Sequence, residues 1–146
     1  MIGKFSALAS GVLATTELNS LANNAVASGI VYDNSISTRR DKYAYFELNV
    51  TFGTGPTADS PIELYILKAG NGVLYENGDI PPQPAMFVGS FIVKAVTTLQ
   101  RLTIVPPPGW TLPPCIFKIV LYNRTGQAFP SSGSSLNIYR WNDEIS

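Results

Sequence analysis

PPCIFKIVLYNRTGQAFPSSGSSLNIYRW, residues 113–141, decides the fold class. Its first part, 115–123, is apolar almost throughout. An extended segment of that kind needs cover on both faces, or cover by its own domain on one and by a partner on the other. Phe117, Ile119 and Leu121 fall on one face, while Lys118, Val120 and Tyr122 form a more amphipathic face that a neighbouring subunit could cover. Gly126, Pro130 and Gly133 then mark turns, and 136–141 reads as a second strand.

Upstream the same material recurs. Residues 41–52 alternate cleanly: Ala44, Phe46, Leu48, Val50 and Phe52 point one way, Tyr43, Tyr45, Glu47, Asn49 and Thr51 the other. Period two is the signature of a half-buried strand. Further strands are predicted at 26–32, 62–69, 87–97 and 99–105. The Asn71-Gly72 and Asn77-Gly78 pairs suit hairpin turns around a short strand at 73–75. Pro-rich 80–84 cannot continue a ladder and is loop, while 106–114 is extended and its Trp110 should pack on the domain surface. About eight short strands with frequent turns and little helical periodicity define an all-β protein, an antiparallel β-sandwich of jelly-roll type, with an up-and-down barrel as the rival. Residues 1–24 read as an N-terminal arm in which Thr15 or Thr16 caps a short helix, with Leu18 and Leu21 on one face. That arm either docks on its own domain, 25–146, or reaches a neighbour.

Only 14% of the residues are charged, well below the roughly one quarter usual for soluble domains, and the formal net charge is +0. So low a charge suits a surface covered by partners, and it supplies no field for nucleic acid or an anionic membrane. The basic cluster Arg39, Arg40 and Lys42 beside Tyr43 and Tyr45 is too small to change that. No apolar run approaches the ~18 residues of a spanning helix. With no histidine, the Ser-His-Asp and Cys-His mechanisms are excluded. A single cysteine, Cys115, excludes an internal disulfide and reads as a buried, inert thiol. The carboxylates are scattered without a distinguishing pair, so no catalytic set and no cofactor is expected. Asn71, Glu76, Asn77 and Asp79 lack the spacing of a calcium loop and are explained by turn chemistry. The exposed aromatics suit either sugar stacking or a protein interface, and the sequence does not separate the two. Contacts to a partner are expected from Leu13, Leu18 and Leu21 in the arm and from Arg39, Arg40 and Trp110.

The layout resembles a family of small virion proteins of tailed bacteriophages, the head-decoration or cement proteins. The resemblance runs through LNSLANNAVASG at 18–29, Asp33-Asn34, GTGP at 53–56, ELYIL at 63–67, NGVLYENGD at 71–79, FKIVLYNRTG at 117–126 and SSG at 131–133. It implies a non-enzymatic β-sandwich bound to the outside of an assembled capsid, with the major capsid protein as partner and self-association as a dimer or trimer. The alternative is a carbohydrate- or receptor-binding module of a tail fibre or baseplate.

Overall fold

Strand β5 (Tyr43–Val50) is built as its alternation requires: Ala44, Phe46, Leu48 and Val50 are buried and the residues between them half-exposed. The computed structural model describes residues 3–35, 40–71 and 87–145. The other strands among these residues are β1 (Gly3–Phe5), β2 (Ala9–Ala14), β3 (Val26–Ser28), β4 (Tyr32–Asp33), β6 (Pro61–Ala69), β7 (Phe87–Ile92), β8 (Gln100–Ile104), β9 (Ile116–Asn123), β10 (Ser135–Trp141) and β11 (Asp143–Ile145). One sheet runs β2-β10-β5-β8; the other runs β3-β9-β6-β7, with β4 following β3 along the same edge of β9. A terminal ribbon pairs β1 with β11. With β3 and β4 taken as one lane and the ribbon set aside, lanes numbered in chain order pair 1-8-3-6 and 2-7-4-5. This is a long hairpin wrapped into two facing antiparallel sheets, the jelly roll the sequence predicts. The predicted turns at Asn71-Gly72 and Asn77-Gly78, with the strand at 73–75, lie outside the described residues.

The core lies between the sheets, where Phe46, Phe52, Phe91 and Phe117 meet Leu48, Leu64, Ile119, Leu121 and Ile138. Of the two alternatives for the N-terminal segment, docking on its own domain is the one 9–21 adopts. β2 is an edge strand on β10, and a 3-10 turn at Thr16–Leu18 replaces the helix; Thr15 makes no side-chain cap bond. Leu13 and Leu18 are 0% exposed and Leu21 6%, so all three belong to the core and are closed to a partner. Phe129 N–H donates to the Leu21 carbonyl and Ser20 N–H to that of Pro130, fixing the segment to the loop before β10. Residues 9–21 are thus part of the sandwich.

The strand predicted at 87–97 ends at Ile92. Beyond it the Gln100 side chain accepts from Lys94 N–H at 2.9 Å and donates to the Lys94 carbonyl at 3.0 Å, holding the chain as it crosses to the other sheet. Cys115 just precedes β9 and is half-buried, not enclosed as expected. Trp110 packs edge-on against Phe46 with centroids 6.3 Å apart, as a surface-packing residue should.

Candidate binding face

The outward side chains of β5 and β10 meet across the ladder. The register sets Tyr45 opposite Tyr139, Tyr43 opposite Trp141, Glu47 opposite Asn137 and Asn49 opposite Ser135. β8 extends the rows with Thr103 beside Glu47 and Arg101 beside Asn49, and β2 adds Val12 beside Asn137. One end of this face is therefore aromatic and the other polar.

The Tyr45 and Tyr139 rings stack at 4.9 Å with 16° between planes, and Tyr43 and Trp141 stack at 5.8 Å. Phe5, carried in by the terminal ribbon, meets Tyr43 and Trp141 edge-on at 6.0 and 6.4 Å while remaining 67% exposed. Cross-strand aromatic pairs of this kind stabilise a sheet and order their rings in advance. Each stacked pair also uses one face of either ring. The Tyr43 hydroxyl and the Lys42 ammonium both donate to Asp143 at 3.1 Å. The neighbouring Tyr43 hydroxyl first, then the bond to Asp143 and its charge, raise the Lys42 pKa. At the polar end Asn49 Nδ2 donates to Glu47 at 3.0 Å. Burial, followed by the nearby Glu47 charge, raises the Tyr139 pKa.

The opposite outer face, on β9 and β6, is covered differently. Tyr65, Leu67 and Val120 are buried and pack with Val26 and Tyr122, a second small apolar cluster on the amphipathic face of β9. Tyr65 donates to Glu63 at 2.6 Å, and Arg124 pairs with Glu63 at 3.2 Å. Burial first, then the Glu63 contact, pushes the Tyr65 pKa to about 12.

Of the remaining residues expected to touch a partner, Arg39 lies outside the described residues. Arg40 is exposed at a cleft of about 340 Å³ that Thr111 and Leu112 also line. Leu112 N–H donates to the Lys42 carbonyl there, so the Arg40 segment and the loop carrying Trp110 share one end of the sandwich. Asn34, fully buried, ties that end together through bonds to Asp41 and to the Pro113 carbonyl. Beside it Arg140 occupies an inward position of β10, 4% exposed. Its Nε lies 3.0 Å from Asp41 Oδ2 in an ion pair without an aligned hydrogen bond, and its guanidinium sits 5.5 Å from the Tyr32 ring. Gly11 leaves it room, since a Cβ there would come within 2.9 Å of Nη1. Among the described residues no group of three His, Cys, Asp or Glu side chains stands ready for a metal ion.

No family model matches this chain, and no curated protein does. Solved structures it resembles include one described as CBM35 from Cellvibrio japonicus Abf62, at 16% identity and a TM-score of 0.42, covering 87% of this chain and 73% of that one. Another is the N-terminal cellulose-binding domain of Cellulomonas fimi β-1,4-glucanase C, at 13% identity and a TM-score of 0.28, covering 88% and 74%. Likenesses this distant carry no argument about ligand or partner.

Proposed function

We propose that this chain is a non-enzymatic structural protein of a tailed-phage virion that sits on the outer surface of the assembled capsid and stabilises it. The observation that carries this reading is the ordered aromatic face of β5 and β10. Tyr and Trp are the residues that supply most interface energy, and rings already stacked lose little freedom on docking. Binding the assembled shell but not its free subunits adds the binding free energy to shell stability, and many copies make a modest contact count. The family resemblance in the sequence points the same way.

A second reading, a carbohydrate-binding module, is favoured by Glu47, Asn49, Arg101 and Asn137 standing beside the rings. These are side chains that hydrogen-bond hydroxyl groups. The mutual stacking of the rings favours a protein surface over a sugar, because part of the platform is already occupied.

The test adds full-length protein to particles lacking it and to an array of bacterial surface glycans. A variant carrying Tyr45→Ala and Tyr139→Ala should lose at least about 30-fold in capsid affinity, as truncated anchor residues do. Unchanged capsid binding by this variant rejects the face as the contact, and glycan binding that the variant loses selects the second reading.

A further inference from the structure

The ten large hydrophobic side chains exposed among the described residues fall into two groups of five. Phe5, Leu8, Val12, Ile30 and Val31 lie in and around β1 to β4; Phe87, Ile92, Val96, Leu99 and Val105 lie in and around β7 and β8. Phe5 lies against Tyr43 and Trp141 on the binding face; the other nine are carried in and around strands of opposite flanks of the sandwich. β2 and the β3–β4 lane are the edges on one side, joined where Ile30 N–H donates to the Leu13 carbonyl at 2.9 Å. Among the described residues β7 and β8 are the edges on the other, in contact where Gly89 faces Ile104. An apolar open edge is a template for pairing unless something covers it.

The charges divide in the same way. Residues 3–35, which span β1 to β4, contain Glu17 and Asp33 with one base, Lys4; residues 87–105 contain Lys94 and Arg101 and no acid. Either flank against its own copy would oppose like net charges, while one flank against the other opposes unlike net charges. The topology agrees. Among the described residues each sheet is four lanes wide with every neighbour antiparallel, so β2 is antiparallel to β8, and the β3–β4 lane to β7. A second copy set alongside in the same orientation therefore brings β8 against β2 and β7 against the β3–β4 lane, both antiparallel.

We infer that the two flanks are complementary halves of one interface, through which copies of this chain associate head to tail. Such an interface is heterologous and grows to a closed ring or an open filament according to the rotation between neighbours. The inference rests on the flanks alone and does not require a capsid.

Sedimentation velocity on the full chain across a concentration series tests it. The wild type should form species larger than the 15.8 kDa monomer. Val12→Lys with Ile30→Lys blocks one flank, and Ile92→Lys with Val105→Lys the other; each variant should sediment as a monomer with an unchanged circular dichroism spectrum. Mixed one to one, they should form a dimer and nothing larger, since one intact flank of each kind remains. If either pair impairs folding, the single changes Val12→Lys and Val105→Lys, at 51% and 74% exposure, take its place. A monomeric wild type, a variant of either flank that still assembles fully, or a mixture that stays monomeric up to its solubility limit would overturn the proposal.

Discussion

Asp41→Asn should be among the most damaging single-atom exchanges in this protein. Asp41 is the counter-charge of Arg140, whose side chain is only 5% exposed and whose Nη1 is also buried without a hydrogen-bond partner. Breaking a buried pair from one side leaves an uncompensated charge, at a cost of ~3–5 kcal/mol. The Asp41 side chain keeps 17% of its exposure, so water recovers part of that cost and the lower end, about 3 kcal/mol, applies. For a chain of this length the midpoint of thermal unfolding should then fall by roughly 6–12 °C. Arg140→Met removes the charge and keeps the apolar stem's volume beside Tyr32 and Ile138, so the double variant should return to within ~1 kcal/mol of wild type. Urea unfolding of the four proteins gives the coupling directly. An Asp41→Asn protein within ~0.5 kcal/mol of wild type would refute the argument, since surface changes fall in that range.

Two further outcomes follow from burial. Leu18→Ala should cost ~2.7–5 kcal/mol in denaturant unfolding, as for other fully enclosed leucines, whereas a residue on a free arm would cost almost nothing. Tyr65, raised from 10.0 to about 12, favours the fold fully below pH 10 and loses that contribution as pH rises through its folded value. Alkaline titration by ultraviolet absorbance should show a late-ionising tyrosine that Tyr65→Phe removes. The loss of stability between pH 10 and pH 12 should shrink in the same variant.

How legible each part was depended on how local its cause is. The alternation of β5 exposes its inner face in the chain itself, and 115–123 carries enough apolar residues to require a strand. β2 escaped because only Leu13 and Ala14 are buried at its end, while Ser10 and Gly11 dilute the pattern. The break between β3 and β4 is a long-range effect. Gly29 passes so close to β2 and β9 that a Cβ would lie 2.6 Å from the Leu13 carbonyl oxygen and 2.8 Å from Ile119, and the next N–H turns to Leu13. Half of the binding face is readable in the chain, since the alternation of β5 turns Tyr43, Tyr45, Glu47 and Asn49 outward. Their partners Tyr139 and Trp141 needed the β5–β10 register, which no single segment contains. Leu13, Leu18 and Leu21 look like docking residues in a small, polar segment, and only the folded sandwich shows that what they dock into is their own core.

High-resolution imaging of the intact virion tests the central claim most directly. Hundreds of copies of this sandwich are expected on the outside of the head, with the Tyr45–Tyr139 face turned to the shell. A handful of copies confined to the tail, or head copies with that face open to solvent, would contradict it.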